Sequence, residues 1–226
     1  MAKRSRRYQE ACAQIDKSAV YPVGEAIDIL KSIRSAQFDE TVELHVQLGI
    51  DPRQSDQQIR TSLSLPNGTG RSLKVAVFAD GDNAEKALEA GAEEVGSDEL
   101  IERVEDGWMD FDVALATPSM MSKIGRLGRY LGPQGLMPTP KNGTVREDIG
   151  EAVKEFKAGK VELRNDEGAN IHTPVGKMSF SKEELMENVQ TVLEHLLQKR
   201  PTGLKGRFFR NVVLSSTMSP GIKVQI

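Results

Sequence analysis

The chain is poor in the side chains that most often carry chemistry. Among 226 residues cysteine occurs once, at Cys12, and histidine three times, at His45, His172 and His195. A lone cysteine forms no internal disulfide, which fits a reducing cytoplasm. No two histidines fall at metal-ligand spacing, so neither a metal nor a cofactor is expected. No apolar run approaches the ~20 residues of a membrane-crossing helix, so no membrane partner is expected. Residues 1–7 are basic but lead into no apolar stretch, unlike a signal peptide. Aromatics make up 5%, hydrophobic residues 38% and charged residues 28%. That composition suits a globular chain of one large domain or two small ones.

Nucleotide-binding signatures are also missing. Gly176-Lys177 ends like a phosphate-binding loop, but the opening glycine position holds Ile171 and the hydroxyl position Met178. Gly68-x-Gly70 opens like a dinucleotide fingerprint, but the third glycine position holds Leu73. Asp80-Gly81-Asp82 follows a strand end, where α/β enzymes place catalytic acids. A turn and a helix N-cap explain the same residues. No catalytic residue is assigned.

Acids are absent from two long segments, although the net charge is −3. Thirteen of them crowd residues 80–112. Residues 113–145 hold none, but carry Lys123, Arg126, Arg129 and Lys141. Residues 199–226 hold none, but carry Lys199, Arg200, Lys205, Arg207, Arg210 and Lys223. With the basic start, these make three cationic segments in a net-acidic chain. Binding responds to the local field rather than the sum, so the pattern points toward an anionic partner.

Hydrophobic periodicity supplies the elements. Val23, Ala26, Ile27, Leu30 and Ile33 recur at helical spacing, predicting a helix over residues 22–36 with Pro22 in its first turn. Residues 38–48 alternate, with Val42, Leu44, Val46 and Leu48 on one face and Thr41, Glu43, His45 and Gln47 on the other, as in a half-buried strand. A second strand is expected over 59–65, then a break at residues 66–70. Residues 75–79 are apolar throughout, as in a strand covered on both faces. Helices over 83–90 and 98–104 and a strand over 113–116 follow, the grammar of a parallel α/β unit. A helix over 147–158 stops at Gly159. Strands over 160–164 and 170–175 bring back the alternating style. Ser181-x-x-Glu184 is a capping box opening an amphipathic helix, and strands over 211–216 and 222–226 close the chain. The expected architecture is a discontinuous α+β domain, residues 1–68 and 159–226, with an antiparallel sheet and two packed helices of split β-α-β type. An α/β three-layer, Rossmann-like domain, residues 69–158, is inserted through two connections that allow a hinge.

Residues 127–145 hold four glycines and three prolines. That content argues against a helix or central strand and for a shaped loop. Such a loop either brings backbone amides close to phosphate, with Arg126, Arg129 and Lys141 adding charge, or braces the hinge. Its Leu131-Gly132-Pro133-Gln134-Gly135-Leu136-Met137-Pro138-Thr139-Pro140-Lys141 closely resembles the signature of the ribosomal protein L-one family, the first-numbered protein of the large subunit. Matches in order and spacing run over essentially the whole chain. They include Phe38-Asp39-Glu40-Thr41-Val42-Glu43, residues 159–166, Asn170-Ile171-His172, Gly176-Lys177-Met178-Ser179-Phe180 and Ser216-Thr217-Met218-x-Pro220-Gly221.

The resemblance implies a ribosome-bound, non-enzymatic protein that holds large-subunit ribosomal RNA at the mobile stalk beside the tRNA exit site. It implies contact with departing tRNA and repression of the messenger RNA of its own operon. It maps the RNA surface onto Phe38, Thr41, His172, Lys177, Ser179, Thr217 and Met218, with secondary RNA or hinge contacts at Arg126, Arg129, Gly132, Gly135 and Lys141. The chemistry suits RNA. Phe38 and Met218 offer apolar contact to a base or ribose, and Thr41, Ser179 and Thr217 bond phosphate or 2′-hydroxyl oxygens. Lys177 neutralises phosphate. Three positions depart from the family: Ser219 where glycine is usual, Gln134 where a basic residue is usual, and Thr139 where Asn is usual. The free protein is expected to be a monomer. The competing classes are an enzyme built on Asp80 and Asp82, and a nucleic-acid chaperone without a fixed target.

Overall fold

A computed structural model describes residues 5–16, 18–34 and 36–225. The elements in chain order are α1 (Arg6–Ala13), α2 (Val23–Ser32), β1 (Thr41–Leu48), β2 (Arg60–Ser64), β3 (Val75–Phe78), α3 (Asp82–Glu89), β4 (Glu94–Gly96), α4 (Asp98–Glu105) and β5 (Val113–Ala116). Then come α5 (Met121–Ile124), α6 (Gly128–Gln134), α7 (Ile149–Lys157), β6 (Lys160–Arg164), β7 (Asn170–Lys177), α8 (Lys182–Gln198), β8 (Phe209–Ser216) and β9 (Ile222–Lys223). The chain folds as two compact units, one of residues 1–70 with 161–226, the other of residues 71–160.

In the first unit a four-stranded antiparallel sheet runs in the order β7-β1-β8-β9. Its central strand β1 alternates as its sequence does. Val42, Leu44, Val46 and Leu48 are buried with Ile171, Val175, Val212 and Leu214 of the neighbouring strands. The same core takes Ala26, Ile27 and Leu30 of α2 and Leu185, Val189, Val192 and Leu196 of α8. Each fully buried Leu, Ile or Val contributes on the order of 1.5–3 kcal/mol. Both chain halves are therefore needed for one core. The Ser181–Glu184 capping box forms, each side chain taking the other residue's backbone N–H. β2 and β6 make a separate two-stranded ladder.

The second unit is built on a parallel sheet, β4-β3-β5. β3 is wholly buried because its residues part to two cores. Val75 and Val77 pack with Ala87 of α3 and Ile149, Val153 and Phe156 of α7, while Ala76 and Phe78 pack with Leu100, Ile101 and Val104 of α4. The continuous apolar run is thus two alternating faces, both covered.

Several boundaries move. Pro22 is the N-cap of α2 rather than part of its first turn, and the helix ends at Ser32. β1 begins at Thr41, because Asp39 and Glu40 are engaged by residues at the exits of β7 and β8, as described below. α1, β4, α5 and α6 lie where no element was expected. The expected last strand, residues 222–226, is regular only over Ile222–Lys223, and Ile226 lies outside the described residues, as do residues 1–4 of the basic start.

The Gly/Pro-rich segment is a correction. Residues 128–134 form α6 despite three disfavoured residues, Gly128, Gly132 and Pro133. α6 continues a helical path through α5 and two single 3-10 turns. Along it Met120, Ile124, Leu127 and Leu131 are buried at spacings of four, three and four. That stripe packs into the Phe78 side of the sheet. Burial of four large side chains, each worth about 1.5–3 kcal/mol, outweighs a propensity cost of roughly 1 kcal/mol per glycine and about 3 kcal/mol for the proline. The helix closes on Gly135, whose φ of 74° is left-handed. The Gly135 and Leu136 N–H groups donate to the carbonyls of Gly132 and Leu131, the paired bonds of a Schellman end.

Candidate nucleic-acid interface

At one end of the four-stranded sheet, the start of β1 meets the exits of β7 and β8. Thr41 and Thr217 are tied twice: the Thr41 N–H donates to Thr217 Oγ1 and the Thr217 N–H to the Thr41 carbonyl, both at 3.2 Å. Lys177 Nζ donates to Thr41 Oγ1 at 2.8 Å. Ser179 donates to the Asp39 carboxylate through its N–H at 3.0 Å and its hydroxyl at 2.8 Å. Phe38 and Met218 flank these polar groups, 50% and 44% exposed, large apolar side chains left facing solvent. The result is a rigid polar patch with two apolar edges.

Besides Asp39, two further residues outside the expected set hold the patch together. Glu40 is 1% exposed, and its Oε2 accepts from Ser216 Oγ at 2.6 Å and from the Met218 N–H at 2.9 Å. The Glu40 carbonyl accepts from the Met178 N–H. One carboxylate thus fixes the turn carrying Thr217 and Met218 to the lead-in of β1. The clue was legible: Glu40 has the inward parity of Val42 and Leu44, and an acid there must be buried and bonded. The second residue is Gly176. β1–β7 pairing slips between Val42 and Glu43, so Val175 and Gly176 are both buried and Lys177 returns to the outward face. A Cβ on Gly176, whose φ is 151°, would sit 2.8 Å from both Leu185 Cδ2 and Phe180 Cδ2. Gly176-Lys177 is therefore a bulge that aims a lysine.

His172 does not join this patch. It lies opposite His45 on the outward sheet face, four residues along β1 from Thr41, or roughly 13 Å at about 3.3 Å per residue. The two imidazoles bond through their Nδ1 atoms at 2.8 Å, and His45 Nε2 is 2.9 Å from Ser215 Oγ. Burial first, then the neighbouring His172, holds the His45 pKa below its ordinary 6.5, with Glu43 pulling weakly the other way. Sequence spacing could not reveal this pair, which is 127 residues apart and joined only by strand register.

Residues 30–220 match the model of the Ribosomal protein L1p/L10e family. A relative from Kosmotoga olearia, named large ribosomal subunit protein uL1, is 55% identical over 224 residues, covering 99% of this chain and 97% of its own. Proteins of the same name from Thermosipho melanesiensis and Thermosipho africanus are 54% and 53% identical over 225 residues, with the same coverage. The chain belongs to the ribosomal protein L1p/L10e family.

As a member of that family it is a structural protein of the large ribosomal subunit, not an enzyme, and binding of ribosomal RNA is general to the family. No helix among the described residues is long and apolar enough to cross a membrane. The Asp80–Asp82 turn is a helix start whose N-cap is Gly81, without a side-chain cap. The secondary family positions are more engaged than their sequence suggested. Arg126 pairs with Glu105 of α4 at 3.1 Å, and its neighbour Lys123 with Asp98 at 2.9 Å. Arg129 stacks on Tyr130, 4.7 Å from the ring centre. The Gly135 amide is used in the helix end, and Gly132 supplies its acceptor. Lys141 is exposed on a single 3-10 turn, Pro140–Asn142. The acid-free segment is thus partly neutralised by the acid-rich segment before it. Of the family departures, Ser219 is unstrained. Its φ is not positive, its hydroxyl accepts from the Ser216 N–H at 2.8 Å, and it donates to the Pro220 carbonyl.

Proposed function

We propose that this protein holds large-subunit ribosomal RNA through the patch of Phe38, Thr41, Lys177, Ser179, Thr217 and Met218, with His172 as an outlying contact on the same sheet face. The observation carrying this reading is the Thr41–Thr217–Lys177–Glu40 network. It fixes donors and acceptors from three chain segments before any ligand arrives. Pre-organisation lowers the entropy cost of binding. A patch with one lysine and several hydroxyls suits shape and 2′-hydroxyl readout better than bulk phosphate attraction.

In this reading residues 1–68 and 159–226 form the RNA-holding domain and residues 69–158 the insert. Arg126, Arg129, Gly132, Gly135 and Lys141 of the insert serve as secondary RNA or hinge contacts. The protein sits at the mobile stalk, assists release of deacylated tRNA at the exit site, represses its own operon messenger RNA through the same patch, and is a monomer when free. Filter binding to ribosomal RNA tests the core of this. Thr217→Ala and Phe38→Ala should each weaken binding at least about tenfold, the ~1.4 kcal/mol equivalent, without unfolding the protein in thermal melts. Wild-type affinity in both variants would remove the patch. Free competition by unrelated RNA would favour a general chaperone.

A further inference from the structure

His45 and His172 face each other across β1 and β7 as directly paired residues. Their Nδ1 atoms are 2.8 Å apart and their rings 5.0 Å apart at 61°. The distal nitrogens also face oxygen atoms, one within hydrogen-bond distance and one just beyond it. His45 Nε2 is 2.9 Å from Ser215 Oγ, and His172 Nε2 is 3.6 Å from Asp166 Oδ2. Asp166 is itself fixed, its Oδ1 accepting from the Gly168 and Asn170 N–H groups. The His172 side chain is 55% exposed, so the pair is open to solvent on one side. Metal-binding histidines share this arrangement, with one nitrogen toward the ion and the other donating to a held oxygen.

We propose that His45 and His172 form a two-imidazole clamp for a late divalent transition metal, with both Nδ1 atoms as ligands. The proton now shared between the two Nδ1 atoms moves to the Nε2 of its own ring through solvent. The His45 Nε2–H then donates to Ser215 Oγ, and the His172 Nε2–H faces the Asp166 carboxylate, which a shift of a few tenths of an ångström brings within hydrogen-bond distance. The spacing selects the geometry. Two nitrogens at about 2.05 Å and 90° from an ion lie about 2.9 Å apart, whereas a tetrahedral angle needs about 3.3 Å. The pair already stands near the 90° value, which suits the tetragonal or octahedral Ni2+ and Cu2+ better than tetrahedral Zn2+. Rotations about χ2, a soft torsion, of about 45° at each ring turn the lone pairs from each other toward the ion. No group of three or more metal-ligating side chains occurs among the described residues, so water completes the sphere. This rests on side-chain geometry alone and is independent of whether the face holds RNA.

Calorimetric titration of the full-length protein with NiCl2 tests it. Wild type should bind one Ni2+ at this site. His45→Gln and His172→Gln should each weaken that binding by about 100-fold, because the second imidazole engages intramolecularly. His195→Gln should leave it unchanged. Retained affinity in either clamp variant, or no saturable Ni2+ binding by wild type, would overturn the assignment. If a variant unfolds, imidazole 1H–15N spectra of the wild-type protein decide. Ni2+ should broaden the ring signals of His45 and His172 and spare His195. Broadening confined to His195 would refute the clamp.

Discussion

Glu40 shows how much one side chain organises. Removing its carboxylate leaves the Ser216 hydroxyl and the Met218 N–H, 2.6 and 2.9 Å away, without their acceptor in a buried site. Glu40→Ala should cost about 2–3 kcal/mol of stability by chemical denaturation, and should also weaken RNA binding. Ser219 makes the opposite point. Serine stands here where the family usually has glycine, a residue that tolerates positive φ and close approach. The residue instead adds a bond to Ser216 without a positive φ, so Ser219→Gly should destabilise by about 1 kcal/mol, read as a lower denaturation midpoint. Family resemblance could flag the unusual residue but not its backbone angle. The Thr139 hydroxyl is buried and has no hydrogen-bond partner among the described residues. Thr139→Val, close in shape, should therefore be neutral or stabilising.

Whole elements were legible where periodicity and burial agreed. The alternation of β1 and the capping box of α8 appear as written. The Gly/Pro-rich segment misled because composition reports backbone preference, whereas the Met120–Ile124–Leu127–Leu131 stripe reports packing, and packing won. The Gly176 bulge was invisible because a register slip depends on the partner strand. Gly176→Ala should lower the melting temperature by several degrees and misdirect Lys177, since its Cβ would meet Leu185 and Phe180 at 2.8 Å. At the junction of α7 and β6, Glu155 accepts from Lys160 at 2.6 Å and from Arg146 at 3.1 Å. The Lys160 hydrogen bond chiefly holds its pKa below the ordinary 4.5, with charge attraction from Lys160 and Arg146 adding to it against burial. A carboxylate with a depressed folded-state pKa stabilises above its unfolded value and loses that contribution as pH falls through the folded one. Stability should therefore decline below about pH 4.5, and Glu155→Gln should flatten that decline in denaturant melts.

At the scale of the whole molecule, the charge pattern and the polar patch argue for different binding modes. Segregated basic segments suggested long-range attraction to a polyanion. In the inserted unit part of that charge is answered by Asp98 and Glu105. In the discontinuous unit the patch carries hydroxyls, two exposed apolar side chains and one lysine. The patch itself could be inferred only from family resemblance, since its residues are up to 180 positions apart and no local pattern links them. Its contribution to binding should therefore depend little on salt, with a slope of log affinity against log salt that Lys177→Gln reduces by about one at most.

The most direct measurement is the affinity of the full-length protein for large-subunit ribosomal RNA, across a salt series, for wild type and Thr217→Ala. A shape-reading patch predicts a shallow slope and an affinity loss in the variant of about tenfold or more at every salt concentration. A steep slope with no difference between the two proteins would contradict it.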